Sequence, residues 1–471
     1  MRILLIDPPV MTEEIGGQKQ NFKGVLNKIP SLGLAYLAAV TRNAGHQVRI
    51  CDCALRFDRN KFVRMVREFD PQVAGVTATT PTLPNAVGIA SLVRSVASEA
   101  RIIAGGPHVT ACPADSLATG AFDFVVIGEG EETFVELLDF LDGKKNVSLE
   151  QVAGIAFRKG REVAVTPCRR RIEDLDALPL PARELLPPLK NYQPTPASYR
   201  QLPLAVIMTS RGCPSKCGFC DRAVFGEKFR QRSVENVMAE VEEAVGRYGA
   251  REIRFFDDTF TMDPRFVEGI CQSLRKLKPR LPWTCLTKVL SVRPDMLKMM
   301  RDAGCWQVLF GLESGDDFVL ERLGKCVNAE QNRNAVLWAK NAGLSVRADF
   351  LVGSPWETPE SFNRTVQFAK SLPLDFAHFN KFVPYPGTEI YKELAAEGYR
   401  FDFGKGAYIN NHADFVYVPP SFTREQYAAM LNQAYREFYL RPGYLFSRLC
   451  SIRTPDEFWG NLKGAFSIAA L

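Results

Sequence analysis

Thr209-Ser-Arg-Gly-Cys213-Pro-Ser-Lys-Cys217-Gly-Phe-Cys220 gathers three cysteines in a loop punctuated by glycine and proline. The loop follows an apolar run, 204–209, that has the composition of a buried strand. Three thiolates at this spacing can wrap one face of a metal centre, and soft thiolate ligands select zinc or iron–sulfur. A structural zinc or an ordinary cluster takes four protein ligands. The next cysteine is Cys271, so the triplet leaves one coordination position open. The plainer alternatives are a zinc site completed from a distance, or three unrelated loop cysteines.

Downstream, strand patterns over 204–209, 252–256, 284–288, 307–311, 346–352 and 375–382 alternate with helical patterns over 234–247, 265–277, 294–302, 329–341, 359–371 and 390–397. About six β/α units fall short of the eight that close a full barrel. An open, partial (β/α)6 barrel over 201–400 is therefore expected, with the cysteine loop at its C-terminal mouth, where such folds place active sites. A mostly helical extension, 401–471, follows, with helices over 424–440 and 455–468.

Upstream, residues 1–141 alternate at shorter range. Strands over 2–6, 47–51, 73–77, 102–104 and 124–127, with helices over 34–43, 61–68, 86–98 and 131–141, predict an α/β, doubly wound Rossmann-like domain. Ligands bind such sheets at the carboxyl ends of the strands. Those ends carry Thr77 to Pro81, Gly105-Gly106-Pro107-His108 and Gly128-Glu129-Gly130-Glu131. Residues 142–200 form a linker with a small hairpin turning at Gly160, then a proline-rich stretch.

Composition bounds the function. A net charge of +6 over 471 residues, without a dense Lys/Arg tract, excludes a nucleic-acid partner. The N-terminus lacks a signal-peptide pattern, and no apolar run approaches the roughly 18 residues of a membrane span. A cytoplasmic location is expected, where twelve cysteines do not form a disulfide framework. Near the end, aromatic and aliphatic residues interleave with arginines from Tyr435 to Leu449. This stretch suits peripheral contact with the inner membrane face; the plainer alternative is a helix docked on the barrel.

Cys-x3-Cys-x2-Cys with Phe219 before the last cysteine resembles the cluster loop of the radical S-adenosylmethionine superfamily. The resemblance implies a [4Fe–4S] cluster on Cys213, Cys217 and Cys220, its open iron chelated by S-adenosylmethionine. Reductive cleavage would then give methionine and a 5′-deoxyadenosyl radical. Later segments resemble the family's motifs in order. They are Phe255-Phe-Asp257-Asp258-Thr259-Phe after the second strand, Gly311-Leu-Glu313-Ser314-Gly315 after the fourth, Gly353-Ser-Pro355-Trp-Glu357-Thr358 after the fifth, and Pro384-Tyr-Pro386-Gly387-Thr388 after the sixth. By resemblance, Phe219, Asp257, Glu313, Ser314, Gly353 and Glu357 surround the cofactor, and Arg347 pairs with its carboxylate. The plainer alternatives are a helix cap at Glu313 and Ser314 and an ordinary ion pair at Arg347.

The front domain resembles the cobalamin-binding domain fused to many of these enzymes, through Pro30-Ser-Leu-Gly33, Gly45-His46 and the two glycine-rich strand ends. This implies cobalamin contacts from Thr77, Thr79, Gly105, Gly106, His108, Gly128 and Glu129. The Asp-x-His-x-x-Gly loop that ligates cobalt in many cobalamin proteins is absent, so base-off cobalamin without a protein histidine ligand is expected. His46 is expected to be structural. The family resemblance implies cobalamin-dependent C-methylation of a small-molecule or lipid substrate, with a reductant such as flavodoxin or ferredoxin. The alternatives are a porphyrin-cyclase-like oxidative reaction without methyl transfer, and a non-catalytic corrinoid or iron–sulfur binding protein.

Overall fold

The computed structural model describes residues 1–10, 27–144, 148–403, 414–452 and 454–462 apart from 456 and 460. In β1 (Arg2–Asp7) four successive residues, Ile3 to Ile6, are buried, as in a strand covered on both faces. It runs parallel between β2 (Gln47–Asp52) and β3 (Val73–Thr77), and β4 (Arg101–Gly105) and β5 (Phe124–Val126) continue the sheet. Its side chains alternate between two cores. Ile3 and Leu5 pack with α1 (Leu32–Asn43), while Leu4 and Ile6 pack with α2 (Arg59–Phe69) and α3 (Leu83–Val96). After β4 come two short helices, α4 (Pro107–Ala111) and α5 (Pro113–Ala118), and after β5 comes α6 (Gly130–Leu141). The order β2-β1-β3-β4-β5 reverses direction between β1 and β3, the switch point where doubly wound sheets bind ligands.

The hairpin expected in the linker forms, turning at Gly160 (φ +64). Its first strand, β6 (Ile155–Lys159), pairs antiparallel with β5 and its second, β7 (Glu162–Val165), antiparallel with β6, so it is the edge of the first sheet rather than a free connection.

The second sheet holds six parallel strands: β8 (Leu204–Ile207), β11 (Glu252–Phe255), β12 (Trp283–Thr287), β13 (Cys305–Glu313), β14 (Ser345–Val352) and β15 (Phe376–Lys381). Two short strands, β9 (Ser210–Arg211) and β10 (Arg230–Gln231), pair antiparallel and pinch the base of the cysteine loop. The helices outside the barrel are α7 (Val234–Gly246), α8 (Pro264–Lys276), α9 (Pro294–Asp302), α10 (Asp317–Arg322), α11 (Ala329–Asn341), α12 (Pro359–Ser371) and α13 (Glu389–Ala396). Ile253, Phe255, Val346, Ala348 and Phe350 join their core, so the alternate residues Arg254, Arg347 and Asp349 face the lumen.

α14 (Arg424–Tyr439) docks on this body through Tyr427, Leu431, Ala434 and Phe438. α15 (Pro442–Ser451) buries no residue. The helix expected over 455–468 falls largely outside the described residues. No helix of the described residues is long and apolar enough to cross a membrane.

Candidate functional site between the two sheets

The cysteine loop is positioned from behind. Asp257, just past β11, accepts hydrogen bonds from the amides of Thr209 (2.7 Å) and Ser210 (2.6 Å) and from the Ser210 hydroxyl (2.8 Å). Its side chain is buried, and burial lifts its carboxyl to about 6 against those donors. Asp257 therefore stands in the wall and sets where the loop begins, instead of facing a cofactor. Gly212 (φ +85) lies too close to the Lys228 carbonyl to carry a Cβ. The Cys213 amide donates to Gly226 O (3.1 Å), Gly218 N to Leu323 O (3.0 Å), and Ile390 N to Gly218 O (3.1 Å). Phe219 packs against the small core containing Leu323, Phe382 and Ile390.

Lys288, just past β12, places its ammonium 2.9 Å from Cys213 Sγ and also touches Ser215 Oγ. Burial raises the Cys217 thiol, opposed by Lys325 and Lys288. Cys220 is pushed up to about 12 by burial and by Asp258. The three thiols influence one another, yet among the described residues no three His, Cys, Asp or Glu side chains close on one point to hold a single ion. Three soft thiolates on one loop suit the iron–sulfur chemistry that such ligands select.

Glu313 ends β13 in the left-handed region (φ +63), a costly conformation for a side chain of this size. Lys325 donates to its carboxylate (3.1 Å) and to Gly311 O (2.9 Å). Burial raises the Glu313 carboxyl and Lys325 opposes the shift, and the charges of both groups act on Cys217.

The neighbouring expected residues are turned into the wall. Ser314 Oγ meets Thr365 Oγ1 at 3.0 Å and accepts from Asp316 N at 3.1 Å, a structural role. Glu357 is fully buried and accepts from Gly353 N, closing its own loop, and burial pushes its carboxyl up to about 8. Gly353 (φ +86) is pressed against Tyr427, whose hydroxyl donates to Val352 O (2.6 Å). Arg347 donates to His378 Nδ1 (3.0 Å) inside the lumen.

A cavity of about 690 Å³ lies between the front sheet and the cysteine loop. Cys213, Cys220, Asp258 and Tyr385 line its barrel side. Thr77, Thr79, Gly105, Gly106 and Gly128 line the other. It continues into the front domain between the sheet and helices α1 and α6, past Gly75, Ile103, Val126 and Phe134. A Cβ at Gly33 or Gly105 would meet nothing within 4 Å, so both glycines leave open space in its wall. A slot entering the sheet's switch point, with glycines along it, fits a corrin with an extended nucleotide tail.

His108 is not part of that wall. It is buried, with Nδ1 3.0 Å from Thr80 Oγ1. His46 bonds the N-terminal amine (3.2 Å), and His412 lies outside the described residues.

Glu129 lines the cavity but is held in an ion-pair cluster. Arg211 (2.9 Å), Arg230 (2.8 Å) and the Ile172 amide (2.9 Å) all donate to it, and Arg211 also binds Glu131 (2.5 Å). A second buried cluster joins Tyr36 of α1 and Arg183 to Arg232 and Glu240. Arg230, Lys288 and Lys325 carry no motif in the sequence, and Arg211 and Tyr385 stand inside motifs that assign them no role. For Arg211 and Arg230 the only signal was position beside the cysteine loop, since partners 80 or more residues away are not paired by any local pattern.

Residues 207–369 match the family model of the radical SAM superfamily, and residues 23–138 that of the B12 binding domain. The chain is 35% identical over 448 residues to an uncharacterized methyltransferase of Pyrococcus horikoshii, covering 94% of each. It is 27% identical over 449 residues to the anaerobic magnesium-protoporphyrin IX monomethyl ester cyclase of Cereibacter sphaeroides, covering 94% of this chain and 71% of the other. Among solved structures it is similar to the radical S-adenosylmethionine methyltransferase TsrM of Kitasatospora setae, with cobalamin and a [4Fe–4S] cluster bound. The TM-score is 0.71 at 18% identity, covering 94% and 89% of the two chains. With both domains matched in order and a 35%-identical relative along nearly its whole length, the chain belongs to the radical S-adenosylmethionine enzymes that carry a B12-binding domain.

Proposed function

We propose that the protein is a cobalamin-dependent methyltransferase that methylates an unactivated carbon of a small molecule. One observation carries this reading: a continuous cavity has Cys213 and Cys220 on one wall and the glycine-rich strand ends of the B12-binding domain on the other. When bound, the cluster supplies the electron that cleaves S-adenosylmethionine, and the corrinoid carries the methyl group.

The chain's own residues do the rest. Asp257 anchors the loop that presents the three thiolates. Lys288 donates to the Cys213 sulfur and steadies its negative charge. Glu313, oriented by Lys325, would accept from S-adenosylmethionine hydroxyl or amino groups. Thr77 and the backbone at Gly105, Gly106 and Gly128 line the space for the corrin. Met208, Phe225 and Tyr385 supply apolar wall to the cavity and would exclude water from it.

A one-electron donor of the flavodoxin or ferredoxin class is required to reduce the cluster. The exposed apolar residues Leu445, Phe446, Leu449 and Trp459 support peripheral membrane contact of a protein that otherwise works in the cytoplasm. A second reading is oxidative cyclisation without methyl transfer, favoured by the similarity to the Cereibacter cyclase.

The test is anaerobic reconstitution with iron, sulfide and hydroxocobalamin, followed by desalting. About four irons per chain, bound corrinoid and 5′-deoxyadenosine formation are expected. Iron and 5′-deoxyadenosine without corrinoid would rule out cobalamin-borne methyl transfer. Absence of iron would end the radical assignment.

A further inference from the structure

Lys288 is a half-buried cation beside the cysteine loop that no carboxylate matches among the described residues. Other cations around the loop are matched. Arg211 pairs with Glu129 (2.9 Å) and Glu131 (2.5 Å), Arg230 with Glu129 (2.8 Å), Arg222 with Glu227 (3.3 Å) and Lys325 with Glu313 (3.1 Å). The Lys288 ammonium turns instead to Cys213 Sγ, at 2.9 Å, and to Ser215 Oγ. Its charge acts on Asp258, but the two form no ion pair.

The lysine is held from both sides. It follows β12, and its carbonyl accepts from the Ser291 amide (3.2 Å) and the Ser291 hydroxyl (3.0 Å). Ser291 Oγ also meets Thr261 Oγ1 (2.6 Å) and Thr287 Oγ1 (3.1 Å), so a set of hydroxyls fixes the backbone from which Lys288 projects. Across from it, Arg222 donates to Ser215 O (2.7 Å) and steadies the residue that the ammonium meets. A cation placed this firmly and partly desolvated needs a counter-charge. Thiolates committed to a metal centre supply one.

Among the described residues, neither Cys217 nor Cys220 accepts a hydrogen bond from a cation, so the contact is particular to Cys213. Hydrogen bonds to the sulfurs are one of the levers on a cluster's reduction potential. Those from an ionised donor are about twice as strong as neutral ones. Reduction delivers one electron from the flavodoxin- or ferredoxin-class donor, with no bond made or broken and no proton taken up. The added negative charge is stabilised by a fixed positive one more than the oxidised state is.

We propose that Lys288 sets the reduction potential of the cluster, its charge acting through the Cys213 sulfur to raise the midpoint toward the reach of a protein electron donor. This rests on the proposed function, which puts the cluster on Cys213, Cys217 and Cys220. Lys288 touches a ligand and not the reacting atoms, so it is a positioning residue whose signature is a potential and not a rate.

The test is an anaerobic redox titration of the reconstituted full-length enzyme without S-adenosylmethionine, the reduced cluster being followed by electron paramagnetic resonance. Lys288→Met is expected to keep wild-type iron content and to lower the equilibrium constant for reduction about tenfold, a midpoint about 59 mV more negative. Lys288→Gln, which keeps a donor without the charge, should shift in the same direction. Lys288→Arg retains the charge and should stay near the wild-type midpoint. An unchanged midpoint in Lys288→Met, a shift to more positive potential, or a displacement of Lys288→Arg as large as that of Lys288→Met would overturn the proposal. If Lys288→Met alone loses iron, the midpoint of Lys288→Gln decides on the same terms. Loss of iron in both uncharged variants would also overturn it, because Lys288 would then build the site and not tune it. Wild-type protein that takes up no iron would sink the proposed function instead.

Discussion

At the level of single residues, the site separates groups that face the cavity from groups that hold those groups in place. Cys217→Ala removes one of three thiolates and is expected to abolish both cluster iron and S-adenosylmethionine cleavage, read by iron assay and 5′-deoxyadenosine release. Glu357 offers a different contrast. Its carboxyl, raised to about 8 by burial, is protonated at neutral pH and accepts from the Gly353 amide. Glutamine reproduces that form, so Glu357→Gln should leave the melting temperature nearly unchanged. Glu357→Ala strands a buried amide and should cost about 1–3 kcal/mol. The sign of the pH dependence follows. The folded protein holds this proton more tightly than the unfolded chain, so the contribution is complete below the ordinary carboxylate value. It is lost as pH rises toward about 8. Denaturant titrations between pH 5 and pH 8 should show a shallower fall in Glu357→Gln than in wild type.

At the level of elements, strands were legible wherever apolar residues ran unbroken, as at β1 and β3, and helices wherever a 3.6-residue period met a capping residue. Thr358 before α12 and Asn328 before α11 are such caps. Much of the site was not legible for a physical reason: a motif says which residues gather at a strand end, not which of two neighbours turns inward. Asp257 and Asp258 are adjacent, yet one is walled behind the loop and the other lines the cavity. His108 looked like a cofactor contact from its glycine-rich loop, but the helix that starts at Pro107 turns it onto Thr80. Ion pairs across the domains are less legible still, because nothing local to Glu129 announces Arg230. Glu129→Ala leaves Arg230 buried without a carboxylate, while Arg211 keeps Glu131, and should cost about 3 kcal/mol. Chemical denaturation followed by fluorescence will measure it, with a smaller loss expected for Glu129→Gln.

At the level of the whole molecule, the two sheets meet through buried charge as well as through apolar packing. The Arg211–Arg230–Glu129–Glu131 cluster and the Tyr36–Arg183–Arg232–Glu240 cluster both bridge the front domain or its trailing segment to the barrel. α15 carries the exposed Phe446 and Leu449. Replacing both by serine should reduce co-sedimentation with anionic vesicles at least several-fold without changing iron content. Equal sedimentation would remove the membrane from this protein's surroundings.

The cavity shared by the two sheets also bears on how the protein is made in a living cell. A corrinoid seated there would meet both halves, and by filling the space between them would shield the chain from proteases. A producing host that neither synthesises nor imports corrinoids would therefore accumulate less intact chain, at equal messenger level, than the same host fed hydroxocobalamin. Pulse-chase turnover in the two media would read the difference.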